Sequence, residues 1–442
     1  MRLRFPKASE TSLAHPGDLA GVPLETFGVS AKRYVALSGA VGIFDVLRNL
    51  AVASILGPYT LGLCTTILAI LQLVSHLYGC LIEAIPVALP HGVVEWQGYS
   101  SKLVKSTVWN LTFLISCISF LGIVGYGFFF SGGDGEWRGY LFLAGVVMVL
   151  EQTRRFVLTC YLADGEVAKM GWLEFAFALL AMATSVVAVW VLDGYGFWLG
   201  LIFPYVLVCL YVTFDYLRRE IIVLHVSVEE ARSILPLGMI VSLASLTYAP
   251  FITASRLYLA GTVGVREVGM FILAAIVMAK IAMLPNALTK ILLPQLSALL
   301  NRKQEIWRAF HLFRRAQIYN LIISCALVVV GSWLLEPAVA LLLPGYVPGV
   351  RSAEVILLAG IPCSLTHNAN AVLLALRRTG TYLKLVVFAF GLQAALFAYL
   401  YWSQQASAYS VSVALLAVFT GYAALSNWTV LKIRKGALGT QG

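Results

Sequence analysis

Charge is what this sequence has least of. Only 12% of its 442 residues are Asp, Glu, Lys or Arg and 60% are hydrophobic, whereas a soluble domain carries about a quarter charged residues. A soluble globule is excluded, and a polytopic membrane protein is expected. Acids are scarcer still: 21 against 31 bases, a formal net charge of +10. In a membrane protein that excess marks cytoplasmic loops rather than a nucleic-acid surface, so no nucleic-acid partner is expected. Catalytic signatures are missing as well. There is no GxxxxGK[ST], HExxH or GxSxG, and the six histidines are scattered. The seven cysteines lack CxxC spacing and read as small buried hydrophobes. No enzyme, metal site or cofactor is expected. The first residues, MRLRFPKASETSLAHPGDLAGVPLETFG, hold no apolar core of signal-peptide length, so the first span is expected to direct insertion.

What is present is apolar sequence in membrane-length blocks of about 20 residues or more. They fall near 34–55, 60–89, 103–129, 139–163, 170–191, 197–217, 233–259, 267–299, 315–335, 351–376, 381–402 and 410–431. The predicted fold is therefore all-α, with twelve transmembrane helices. Residues 1–33 read as an N-terminal segment, 34–217 as a six-helix lobe, 218–232 as a polar connector, 233–431 as a second six-helix lobe and 432–442 as a tail. With the N-terminus inside, twenty-two of the 31 Lys and Arg residues fall in cytoplasmic segments. Arg138, Arg256, Arg266 and Arg351 fall outside or at the outer edge, and five lie within spans. This bias predicts that both termini are cytoplasmic. Outward loops are short, the longest being SGGDGEWRG and the region from Glu336 to Val350.

The stretch from Pro236 to Leu299 is repeated, weakly, earlier in the chain. Gly264 and Gly269 lie 207 positions after Gly57 and Gly62, so VGVREVG matches LGPYTLG, with an apolar helix on either side of each. Two copies of six spans insert the same way up, which predicts lobes related by a pseudo-twofold axis along the membrane normal.

Ionisable residues at membrane depth point to function. Asp45 and Arg48 stand i,i+3 in the first span, and Glu151 stands i,i+3 and i,i+4 from Arg154 and Arg155 in the fourth. These sets read either as self-neutralised structural pairs or as a cationic lining, since Arg suits bidentate capture of phosphate or carboxylate oxygens. Lys280 has no acid at i±3 or i±4 and lies roughly 20 Å along its span. It is the best candidate for a buried substrate-binding group, with Arg48, Arg154 and Arg155 beside it and Arg256 near the outer end of the seventh span. Arg256 and Lys290 could equally snorkel to the interface. Glu83 is the repeat mate of Lys290, 207 positions earlier, and the two are candidates for a gate between the lobes.

On ILGPYTLGL at 55–63, SRLYLAGTVGVREVGMF at 255–271, LPNALTKILLPQLS at 284–297 and LLPGYVPGVRSAEVILLAGIP followed by LLALRRTG, the chain resembles the polysaccharide, or lipid-linked oligosaccharide, flippases. Their superfamily also holds the multidrug antiporters. The family's acidic–Arg pair is represented by Ser255 and Arg256, so the base is kept and the acid is not. The resemblance implies a flippase that moves an undecaprenyl-diphosphate-linked glycan to the outer leaflet of a bacterial inner membrane. It also names the lipid bilayer, a polysaccharide polymerase and chain-length proteins as partners. The alternative is a cation-coupled multidrug antiporter, which should present unpaired cavity carboxylates. A membrane-embedded glycan polymerase or ligase is the third reading, and the short outer loops argue against it.

Overall fold

The computed structural model describes residues 24–89, 95–96, 99–130, 135–218, 226–245, 249–300, 306–376 and 378–439. Nearly all of it is helix. In chain order the helices are α1 (Leu24–Ala88), α2 (Ser101–Phe130), α3 (Gly135–Ala163), α4 (Val167–Arg218), α5 (Val228–Ser245), α6 (Ala249–Thr262), α7 (Val265–Leu300), α8 (Ile306–Leu342), α9 (Val350–Ala375), α10 (Thr379–Trp402) and α11 (Ala408–Gly439). A two-residue antiparallel ladder pairs β1 (Glu95–Trp96) with β2 (Tyr99–Ser100). Among the described residues, seven helices are long and apolar enough to cross a membrane. The chain is a multi-pass helical membrane protein.

Two of these helices are too long for one crossing. At ~1.5 Å per residue, the 65 residues of α1 would measure roughly 100 Å against a ~30 Å hydrocarbon core. The helix breaks at Gly57 (φ 70°, ψ 170°), a conformation open essentially to glycine alone. Pro58 follows; lacking an N–H and with φ already set, it restarts the helix as a first-turn residue. The 52-residue α4 breaks at Asp193, and its second arm folds back on the first. Gly200 lies against the Ser185 backbone, and Thr184 Oγ1 donates to the Gly200 carbonyl at 2.7 Å. Expected loops after residues 55 and 191 are thus sharp breaks within helices, because a Gly-Pro pair and an Asp-Gly pair turn the backbone without extra residues.

Helix also reaches segments expected as a connector and a loop. Within the block 233–259 the described residues form α5 and α6, and α5 begins at Val228, inside the segment 218–232. There Ser227 and Glu230 form a helix start: the Glu230 N–H donates to Ser227 Oγ at 3.3 Å. Thr107 Oγ1 donates to Glu230 at 2.5 Å, tying α5 to α2. The expected outer loop at 336–350 is mostly ordered helix, since α8 runs on to Leu342 and a 3-10 turn covers Pro344–Gly349.

Apolar packing gathers into two large cores. One is built from the second arm of α1 with α2, α3 and α4, around Phe156, Tyr161, Trp198 and Tyr216. The other draws on α6 to α11 around Phe251, Phe271, Tyr382, Phe419 and Tyr422, and takes in Val52, Ala53, Leu56 and Leu61 of α1. Close approach of α1 to α7 is possible because small residues sit at the crossings. A Cβ on Gly42 would stand 2.8 Å from Met283 Sδ, and one on Gly62 would collide with the Val265 carbonyl.

Candidate functional site

The site is built where α1 passes α7. Gly42, Asp45 and Arg48 follow one another at three-residue spacing on α1, and Gly42 touches Met283, one turn beyond Lys280 on α7. Asp45 and Arg48 form an ion pair at 3.9 Å, with Arg48 the more buried. Arg48 Nη2 also donates to Asn49 Oδ1 at 3.4 Å. The half-buried Lys280 ammonium lies within electrostatic range of both Asp45 and Arg48. Its carboxylate neighbour therefore comes from α1, out of reach of any i±3 or i±4 rule. Asp45, Arg48 and Lys280 together carry one net positive charge.

A second cluster lies on α3 and α4. Arg154 forks Glu151, Nε at 2.8 Å and Nη2 at 3.1 Å, and its guanidinium lies 4.6 Å over the Phe177 ring and 5.7 Å from that of Tyr205. Tyr205 also lies beside Glu151. A guanidinium held in a carboxylate fork and stacked on a ring is committed to the protein's interior. Arg155, expected to share Glu151, instead reaches Glu83 on α1, Nη2 to Oε1 at 3.2 Å. Arg48 lies within electrostatic range of Tyr205 as well as of Lys280, so the two clusters are neighbours. The structure thus brings Lys280 and Arg48 together, with Arg154 and Arg155 behind them, each held by a carboxylate.

Two predicted residues stand apart from this description. Arg256 is half-buried on α6, where Gln393 of α10 donates to the Phe251 carbonyl at 2.9 Å and to Ser255 Oγ at 3.2 Å. The side chain of Lys290 lies outside the described residues. The expected Glu83–Lys290 contact is therefore not in view, and the Glu83 partner that is in view is Arg155. Sequence reading missed the aromatic seat of Arg154, because Phe177 and Tyr205 are remote from it along the chain. It also missed the polar contact of Thr253 with Gln72, at 3.4 Å between α6 and α1. Among the described residues no group of three or more His, Cys, Asp or Glu could hold a metal ion.

The helical membrane architecture is one that several solved transporters share. An inward-facing multidrug resistance MATE family transporter of the MOP superfamily aligns with a TM-score of 0.71 at 13% identity, over 93% of this chain and 100% of its own. An outward-facing one aligns at 0.64 and 15% identity, over 93% and 97%. A MOP superfamily transporter from Pyrococcus furiosus, described as having a binding pocket of reversed polarity that suggests a different function, aligns at 0.65 and 14%, over 92% and 96%. At such identities the likeness is one of fold. No protein-family model and no curated protein matches the chain.

Proposed function

We propose that the chain is an alternating-access transporter in which two six-helix lobes, 34–217 and 233–431, rock about the α1–α7 crossing. Twelve spans arise if α1 and α4 each count twice and α5 with α6 counts once. The two apolar cores support two bodies, and the fold it shares with inward- and outward-facing transporters supports the motion. The substrate is an anionic amphiphile, and the observation that carries this is the Asp45–Arg48–Lys280 set with its surplus positive charge. An undecaprenyl-diphosphate-linked glycan fits: the diphosphate meets Lys280 and Arg48, the sugars take the polar path past Gln72 and Thr253, and the polyprenyl tail stays in lipid. Arg155 is a reserve cation if Glu83 releases it, and Arg256 a further one near the outer end. The membrane is then a bacterial inner membrane with both termini cytoplasmic, and a polysaccharide polymerase and chain-length proteins are the partners.

A multidrug antiporter is the second reading, favoured by the MATE neighbours. Its substrates are cationic, and they would be drawn to Asp45 only if Arg48 and Lys280 did not outnumber it. Reconstitution separates the two. Proteoliposomes carrying the chain should flip a fluorescent polyprenyl-diphosphate glycan, scored by dithionite quenching, and Lys280→Ala should abolish this at normal abundance. Proton- or sodium-driven ethidium uptake without glycan flipping would establish the antiporter instead.

A further inference from the structure

One polar contact between α8 and α11 fixes which of their exposed residues share a surface. Gln317 Nε2 of α8 donates to Asn427 Oδ1 of α11 at 2.6 Å, so these two positions face one another at one level. The helices run antiparallel. Gln317, early in α8, bonds the Leu365 carbonyl late in α9, whereas α9 and α11 run together, Ser352 meeting Ser412 and Asn370 meeting Tyr422. In antiparallel helices, equal rotations away from the facing pair reach the same side of the seam. At about 100° per residue, Arg314, Trp307 and His311 lie roughly 60°, 80° and 120° round α8 from Gln317, and Lys435, Trp428 and Lys432 roughly 80°, 100° and 140° round α11 from Asn427. All six are exposed. The opposite rotations lead to buried Phe313 and Asn320 on α8 and buried Ala423 and Val430 on α11, the side that α9 occupies. At ~1.5 Å per residue, Arg314, His311, Lys432 and Lys435 fall in a band roughly 5 to 12 Å from the facing pair, toward the start of α8.

That band is basic and nothing offsets it. From Ile306 to Gly442 the sequence holds only two acids, Glu336 and Glu354, and they lie near the end of α8 and the start of α9, at the other end of the helices. Among the described residues none of Arg314, Lys432 and Lys435 forms an ion pair. On α2 to α4, by contrast, Asp164 takes Lys105, and Asp215 and Glu166 take Lys169. A preference for bases on one face of a membrane accounts for their number. It does not account for their convergence on one groove from two helices. Two amphipathic rings accompany them, as at headgroup level: Trp307 stacks on His311 with centroids 5.4 Å apart, and Lys432 Nζ lies 5.3 Å from the Trp428 ring centroid. Beyond the facing pair in the other direction, the same side of the seam continues with exposed Leu321 and Ala424. Cations at one level and apolar surface next to them match a lipid phosphate and its acyl chain.

We propose that this end of the α8–α11 groove binds an anionic phospholipid, its phosphate between Arg314 and Lys432 and an acyl chain along Leu321 and Ala424. On the topology proposed above, the lipid belongs to the cytoplasmic leaflet. The groove is separate from Asp45, Arg48 and Lys280, which stand on α1 and α7, so it does not depend on which substrate is carried.

Native mass spectrometry of the full chain released from a neutral detergent tests this. Phosphatidylglycerol should give a saturable adduct at concentrations where phosphatidylcholine of the same chain length gives none. Arg314→Gln with Lys432→Gln should weaken that adduct roughly tenfold or more. Lys102→Gln with Arg232→Gln removes two exposed bases from α2 and α5, the same change in net charge, and should leave it unchanged. Equal retention of the two lipids by the unsubstituted chain overturns the proposal without recourse to any variant. An adduct that the groove pair does not weaken overturns it, and so does equal weakening by both pairs, the mark of a diffuse field. Retention of inorganic pyrophosphate in place of lipid would assign the groove to a soluble anion and overturn it as well.

Discussion

Gly62 of α1 and Gly269 of α7 lie against one another. A Cβ on Gly62 would stand 2.8 Å from the Gly269 nitrogen and collide with the Val265 carbonyl, and one on Gly269 would collide with the Pro58 carbonyl. The two glycines are repeat mates, 207 positions apart, so the repeated element packs against its own copy. Nearby, Gly57 and Gly264, also repeat mates, both adopt positive φ, 70° and 115°.

The glycine contact should tolerate no side chain. Gly62→Leu and Gly269→Leu are each expected to cost about 1–3 kcal/mol or more, the range for overpacking, because the obstructing atoms are backbone. Scanning fluorimetry in detergent should show lowered melting temperatures for both. Gly261→Ala, which meets nothing within 4 Å, should melt like the parent. Equal melting of all four proteins would mean that α1 and α7 do not approach this closely.

Backbone conformation, not space, should govern the neighbouring pair. A Cβ at Gly57 or Gly264 meets nothing within 4 Å, yet alanine is expected to cost about 1–3 kcal/mol at each from strain. Gly391→Ala, in open space and without a positive φ, is the control. Melting curves that leave Gly57→Ala unshifted would rule out the break as placed.

Glu83 offers a choice between two partners. The 3.2 Å pair with Arg155 predicts that Glu83→Arg impairs transport and that adding Arg155→Glu restores part of it. Should Lys290→Glu rescue Glu83→Arg instead, the repeat-mate gate would be the functional contact in another state. Strictly additive losses in both double-mutant cycles would discard both.

Topology can be checked on whole cells with single cysteines in a background lacking the native ones. Positions Asp134 and Pro348 should label from outside, and Lys303 and Arg378 should label only after permeabilisation. The basic-residue bias is the warrant. External labelling at Lys303 would invert or break the twelve-span proposal.

Much of this was legible in the chain alone. Hydropathy fixes the class, because a bilayer leaves a backbone few alternatives to helix. The spacing of Gly57, Gly62, Gly264 and Gly269 exposed the repeat, since tight turns and close backbone approach both demand glycine at set intervals. Local pairing was readable where it stays on one helix: Asp45 with Arg48 and Glu151 with Arg154 obey the three-residue rule and are found paired. Tertiary structure alone decided the rest. Glu151 could serve either Arg154 or Arg155, and it serves Arg154 because Phe177 and Tyr205 hold that guanidinium in place, while Arg155 turns to Glu83. Lys280 has no acid at i±3 or i±4 on its own helix, and it receives Asp45 only because α1, thinned by Gly42, runs beside α7 at that level. Which charges neutralise one another across helices depends on distances that sequence separation does not encode. The surplus charge of the site is therefore a property of the packed helices.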